Sequence, residues 1–536
     1  MRKSLVLLAC LVAVMALTSV GFAAPERLAN KQVASYNVGT EPETLDPAMS
    51  TGIPEAVVEL SCFEGLTRLD DKNVPRPAIA ESWTISKDGL VYTFKLRKSN
   101  WSNGTPVTAN DFEWSWKRAL DPKTAAEYAT QLWYVKNGRA YNEGKIKDAA
   151  QVGVKAIDAY TLKVTLENPC TYFLQLCAFP TLMPVNRKVV EANPTGWFLK
   201  PETYIGNGPF KIVKWEHNSK IDLVPNLHFW NVGKVKVTNL TYYLIDDIKT
   251  VLSMFETGQL DSFEAPPAAE IARLTKEGVL DIKNYIGTYY YMFNTTKAPA
   301  NDVRVRKALT MAIDRQKLID FVVRGEQKPA LAYVPFGLAD ATPTPDFRTV
   351  GGNLYKEDLA EAKKLLADAG YPDGKGFPTL TILFNTSDNH KKIAEAIQEM
   401  WKKNLGINVQ LTNQEWKVYL DTRDTLNYQV ARAGWIGDYL DPMTFMDMWT
   451  TTNGNNDTGW SNNKYDELIY GAMKEGDSAK RATMLHEAES ILMAELPIMP
   501  IYFYTNVVVQ KPYLKGVRFS PLGFVDFAAA YVLEHK

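Results

Sequence analysis

The stretch 379–411 constrains this chain more than any other. Leu380-Thr381-Ile382-Leu383-Phe384 reads as a strand rich in β-branched and aromatic side chains. Ile393, Ile397, Met400 and Trp401 then recur at helical spacing. Gly406 ends that helix, and Lys402 and Lys403 suit the negative end of its dipole. Ile407, Val409 and Leu411 alternate as the next strand. A strand–helix–strand unit of this kind requires parallel pairing and a helix packed on the sheet. Val91–Leu96 and Leu162–Leu166 also alternate as strands, with a turn at Asn103-Gly104. Asn110 is the expected cap of an aromatic helix starting at Asp111, and Asp302 the cap of a helix through Val303, Leu309, Ala312 and Ile313. A further helix spans Asp358–Ala369 and stops at Gly370, before the turn Pro372-Asp373-Gly374. The expected class is mixed α/β. At about 150 residues per domain, 536 residues suggest two to four domains. A content of 46% hydrophobic and 23% charged residues excludes collagen-like, coiled-coil and wholly disordered chains.

Residues 1–23 have the form of a secretory signal peptide. Arg2 and Lys3 precede the apolar run Leu5–Leu17, and Gly21 and Ala23 are small residues at the −3 and −1 positions. Cleavage is expected before Ala24. The lipoprotein-like Leu7-Leu8-Ala9-Cys10 has too few apolar residues ahead of it to be preferred. Losing Arg2 and Lys3 takes the net charge from −1 to −3. A chain this near neutrality, without a Lys/Arg run, has no basic field for nucleic acid. His217, His228, His390, His486 and His535 are too scattered for a metal site, and no cofactor is expected. Cys62, Cys170 and Cys177 remain after cleavage. Cys170 and Cys177 can pair if Cys170 lies in a loop after Pro169; on one helix they would stand about 10.5 Å apart. The other reading is three small buried hydrophobes.

Catalytic signatures are missing: no HExxH, GxSxG, CxxC, Walker A or EF-hand loop occurs. Gly206-Asn207-Gly208-Pro209 lacks the third glycine of a dinucleotide loop. The chain instead carries 13 Trp, 26 Tyr and 22 Phe, which suit apolar pockets with polar rims as well as a core. The most unusual segment runs from Ala431 to Pro442. Arg432 and Asp438 interrupt an otherwise buried strand, and buried charges must be paired or meet a charged ligand. Gly434 and Gly437 leave the backbone open, so an extended ligand can add there as a strand. Asp438 suits an ammonium group and Arg432 a carboxylate, the two ends of a peptide. An internal Arg432–Asp438 pair satisfies the same residues equally well.

These segments, with others in order along the chain, resemble the oligopeptide-binding proteins of ABC importers, within the family of dipeptide, oligopeptide and nickel receptors. The matching motifs include Glu43-Thr44-Leu45-Asp46-Pro47, Phe63-Glu64-Gly65-Leu66, Ala80-Glu81-Ser82-Trp83, the run Trp101–Ala109, and Asn207-Gly208-Pro209-Phe210. Asn301–Arg306, Asn385-Thr386-Ser387-Asp388, Asn413-Gln414-Glu415-Trp416 and the Arg432–Asp438 stretch follow. The resemblance covers residues 31–536. It implies a two-lobed periplasmic-binding-protein-like fold with a hinged cleft and an extra domain. Carried over, lobe I comprises 24–63, 187–286 and 506–536, the extra domain 64–186, and lobe II 287–505. The implied protein is a periplasmic, non-enzymatic monomer that closes on short peptides and docks on a membrane permease.

By the same resemblance Asp438 grips the peptide ammonium, and the Gly434 and Ile436 backbones pair with the ligand. Arg432, Arg423 and His390 receive the carboxylate, according to peptide length. Tyr128, Tyr290, Trp416, Trp435, Tyr504, Ile53, Thr51 and Met292 line the cleft. There are departures. Gly287 and Ile436 stand where enteric members carry a Cys pair, and Thr51 and Met292 where they carry Glu, which weakens any preference for basic side chains. Val323, beside Arg324, replaces a Lys that meets longer peptides, which favours tri- and tetrapeptides. A murein peptide, an opine-like compound, a metal chelate or haem in the same fold is the alternative, and a secreted hydrolase built on an acid pair has no motif behind it.

Overall fold

The computed structural model describes residues 27–535. Residues 1–23, expected as a signal peptide, therefore lie outside the described residues. Among those described, no helix is long and apolar enough to cross a membrane.

Two long strands organise the molecule. Leu280–Phe293 and Ile498–Gln510 run antiparallel over almost their whole length. At one end, Ile498–Gln510 takes Ser262–Glu264 as its other neighbour, and beyond it lie Val33–Asn37, Asn239–Tyr243, Lys220–Pro225 and Phe210–Glu216. At the other end, Leu280–Phe293 takes Val430–Ile436, followed by Leu380–Asn385 and Val409–Gln414. Between the two ends the register slips: Asn284 faces Thr505, yet Thr288 faces Phe503. The resulting bulge bends the pair where it passes from one half of the sheet to the other. A four-stranded antiparallel sheet, Ala80–Ile85, Val91–Leu96, Thr161–Thr165 and Val154–Asp158, stands apart from this one.

Strand alternation sorts the aromatic core. Tyr289, Tyr291 and Phe293 pack on one side with Leu309, Ile397 and Trp401. Tyr290 and Met292 point to the other side, where Tyr290 meets Tyr333 and Trp449 edge-on. Eight successive buried residues, Ile286–Phe293, are the mark of a strand covered on both faces.

The βαβ unit forms as the residues require. Leu380–Asn385 and Val409–Gln414 are parallel, joined by the helix Asp388–Leu405, which Gly406 terminates at φ +70°. Asp302 caps its helix as expected. The helix expected over Asp358–Ala369 spans Leu359–Asp368, with Asp358 as its N-cap, because the Asp358 carboxylate accepts from the Glu361 N–H. The aromatic helix differs. It spans Ala109–Leu120 with Thr108 as its cap, because Asp111 accepts from both the backbone N–H and the hydroxyl of Thr108. Asn110 is already inside the first turn. Gly206 and Gly208 serve close packing: a Cβ on either would meet the backbone of Cys62 within 2.6 Å. Cys62, Cys170 and Cys177 are all free and buried, so the Cys170–Cys177 pairing is not formed. Cys177 closes the short helix Phe173–Leu176 and Cys170 precedes it, and burial pushes both thiols up.

Candidate functional site

A cavity of about 440 Å³ lies between the two halves of the sheet, within the usual size of a small-ligand site. One wall comes from the ends of Val33–Asn37 and the start of the helix Ile53–Cys62, with Tyr128, Phe179 and Tyr285. The other comes from the C-terminal ends of Leu380–Asn385 and Val430–Ile436 and from the helix Trp416–Asp424. Ligands of open α/β sheets bind at such strand ends, outside the ladder.

Asp438 follows the Val430–Ile436 strand by two residues and is 7% exposed. Its carboxylate accepts from Gln131 Nε2 at 2.8 Å and from the Tyr128 hydroxyl at 3.3 Å, and its backbone N–H donates to Thr444 Oγ1. Among the described residues no cation lies within ion-pair distance. Burial, and then the nearby Asp447, hold its proton affinity far above the usual carboxylate range.

Arg432 sits on the same strand, facing the cavity. Nη2 donates to the Tyr504 hydroxyl at 2.8 Å and Nη1 to Asn385 Oδ1 at 3.3 Å, while the buried Nε has no partner. Its guanidinium stands 4.7 Å above the Tyr289 ring. Among the described residues no carboxylate pairs with it. The internal Arg432–Asp438 pair is absent: each charge has neutral partners only.

Arg423 also lines the cavity but forms an ion pair with Asp457. His390 lies in the first turn of the helix Asp388–Leu405, its Nδ1 3.3 Å from the Tyr289 hydroxyl. Burial and the positive charge of Arg432 lower its pKa well below the usual imidazole value, so it faces the cavity as a neutral ring.

Gly434, Ile436, Thr51 and Ile53 line the cavity. So do Trp416, whose Nε1 donates to Glu55, and Trp435, stacked on Tyr128 at 5.9 Å. Tyr290 and Met292 do not. Tyr289 is opposite Gly434 and Tyr291 opposite Arg432, so those four share a face. Tyr290 and Met292, opposite Ala433 and Ala431, lie on the other face and are buried in the core. Val323 and Arg324 are likewise outside the cavity wall; Val323 packs on the core cluster to which Tyr289 belongs.

The sequence reading missed Asn385, Tyr285, Glu127 and Asp424 in the cavity wall. Asn385 carried a signal, since it opens a polar run at the end of the strand that begins the βαβ unit. Glu127 has no sequence signal. Burial and the neighbouring Asp424 and Asp457 push its carboxyl up to about 8.

The family model for bacterial extracellular solute-binding proteins, family 5 Middle, matches residues 74–457. The chain belongs to this family. Its family 5 relatives include the oligopeptide-binding protein OppA of Bacillus subtilis, 41% identical over 94% of this chain and 93% of the relative. Among solved family 5 structures, the murein tripeptide binding protein MppA of Escherichia coli superposes with a TM-score of 0.89 at 39% identity, covering 95% of this chain and all of that one. Haemophilus influenzae OppA in complex with RPPGFSPFR gives 0.89 at 35% identity and the same coverage. The unliganded open form of MppA gives only 0.63, at 38% identity over 96% of this chain and 99% of that one. The lobes of this family 5 member are thus arranged as in the first two structures and not as in the open one.

Proposed function

We propose that this protein captures short peptides, three or four residues long with free termini, and delivers them to an ABC permease without chemical change. One observation carries the reading. Asp438, an acid, and Arg432, a cation, line one cavity, and among the described residues neither has an ionic partner. A charge in that position is costly until a counter-charge arrives, and a peptide brings both. Six residues separate the two, at most about 20 Å along an extended strand. An extended tri- or tetrapeptide spans about 10–14 Å, and the two side chains cover the difference. Between them, Gly434 and Ile436 offer backbone groups for strand-like pairing.

The remaining parts of the reading rest on the same basis. Arg423, already paired, and His390, neutral, act as hydrogen-bond donors at the carboxylate end and not as its counter-ion. The register slip between 284 and 288 supports a hinge there, with lobe I as 24–63, 187–286 and 506–536, the extra domain as 64–186 and lobe II as 287–505. Export through a cleaved signal peptide, and action as a periplasmic monomer, complete it.

Native mass spectrometry on protein purified without unfolding tests the proposal. Trapped masses in the tri- to tetrapeptide range, lost from Asp438→Ala, are expected. A single non-peptide mass would overturn it. The MppA resemblance favours a second reading, a murein peptide held by the same Asp438. Calorimetry with D-amino-acid peptides separates the two.

A further inference from the structure

The carboxylate end of the cavity contains one hydrogen-bond donor more than its cation. Tyr504 Oη lies 2.8 Å from Arg432 Nη2. A guanidinium only donates, so the hydroxyl accepts there and its own proton must point elsewhere. Among the described residues that hydroxyl makes no other hydrogen bond, and Tyr504 lines the cavity. Burial keeps the phenol protonated at neutral pH. A hydroxyl that accepts from a cation is also a stronger donor.

The ring has little freedom to turn away. It meets Tyr285, Tyr289 and Tyr502 edge-on, at 5.7, 5.9 and 5.5 Å between centroids. The hydroxyl occupies the space a side chain on residue 434 would need, for a Cβ on Gly434 would fall 2.4 Å from it. Gly434 does not have a positive φ, so backbone freedom is not what requires glycine there. Space for the Tyr504 hydroxyl is.

We infer that Tyr504 donates a hydrogen bond to the ligand's carboxylate beside Arg432, and that Gly434 is a positioning residue whose missing side chain leaves room for that hydroxyl. The inference rests on the proposed peptide reading and adds to it the pair of residues that discriminates an anionic end from a neutral one. Gly434 thus acts by the volume it vacates as well as through its backbone.

Trialanine and tetra-alanine, each as free acid and as C-terminal amide, are titrated calorimetrically into wild type, Tyr504→Phe, Gly434→Ala and the double variant. The quantity compared is the acid-to-amide affinity ratio, at the length where wild type shows the larger one. A hydrogen bond to a charged group sets the scale at about tenfold. Tyr504→Phe should weaken both forms but lower the ratio several-fold, because the amide carbonyl also accepts from the hydroxyl while the charged carboxylate gains more from it. Gly434→Ala should lower it similarly. In the Phe background the clash is gone, leaving the nearest atoms at 3.3 Å, so adding Ala should cost no further selectivity, a non-additive cycle. An unchanged ratio in Tyr504→Phe overturns the inference even if Gly434→Ala fails to fold. Additive losses overturn the role of Gly434. A wild type that binds acid and amide equally overturns the assignment of the carboxylate to Arg432, and this inference with it.

Discussion

Asp438 is more than nine-tenths buried, accepts hydrogen bonds from neutral groups only, and is pushed towards protonation by burial. An ammonium group arriving beside it reverses that shift. Removing one partner of a buried pair costs about 3–5 kcal/mol. Asp438→Ala is therefore expected to weaken a free tripeptide by about a hundredfold or more. N-acetylation of the peptide should weaken wild type to a similar extent. The variant should bind the acetylated and free peptides alike. Calorimetry on the four combinations checks this, and equal affinities throughout would remove Asp438 from the site. Arg423 shows why a cation in the right place is not enough. Its pairing with Asp457 leaves it no free charge to offer, whereas Arg432 has only amide, hydroxyl and ring for company.

The helix Asp388–Leu405 links the sheet to the cavity, because its first turn carries Asn389 and His390 into the wall. Its two ends differ in what they require. Ser387 caps the N-terminus by accepting from the His390 backbone N–H, which sets the imidazole in place. Gly406 ends it in the left-handed region, where a Cβ would also meet the Asp373 carbonyl at 2.6 Å. Gly406→Ala should lower the unfolding free energy by about 1–3 kcal/mol through backbone strain and this clash. Peptide affinity should stay unchanged, since 18 residues of helix, about 27 Å, separate that turn from the wall. Denaturant titration and calorimetry on one preparation measure both, and an unaltered midpoint would mean that the loop at Asp373 relaxes freely.

At the level of the whole molecule, residues distant in sequence meet across the cavity. Trp416 donates to Glu55 at 3.2 Å, and Gln131 to Asp438. Burial raises Glu55 to about 7, against the hydrogen bonds it accepts from the Glu43 backbone N–H and from Trp416, and burial likewise raises Asp447 to about 7. Each therefore holds, up to about pH 7, a proton that the unfolded chain releases near pH 4.5 for Glu55 and near pH 3.8 for Asp447. Their contribution to stability is complete below those values and is lost as pH rises through 7. Glu55→Gln keeps an acceptor for Trp416 and cannot titrate. In ligand-free protein, its unfolding temperature should fall less than that of wild type between pH 5.5 and 8. The difference corresponds to at most about 3 kcal/mol for this one group. Parallel profiles would show that Glu55 is ionised throughout.

The sequence by itself determined the local architecture and the chemical polarity of the site. Periodicity, Gly406 and the paired lysines were enough for the βαβ unit, because helix and strand obey spacings of 3.6 and 2 whatever lies around them. Arg432 and Asp438 were conspicuous because charge in a buried strand always needs an explanation. Tertiary structure decided everything that depended on a partner far along the chain. Whether Arg432 met Asp438, whether Arg423 was already neutralised by Asp457, and whether Tyr290 and Met292 faced cavity or core were set by the pairing of Leu280–Phe293 with Val430–Ile436 and by what packed on each face. Register sends alternate residues to opposite sides of a sheet, and a shift of one position exchanges them. The space beside Gly434 was likewise invisible until Tyr504 arrived from seventy residues away to fill it.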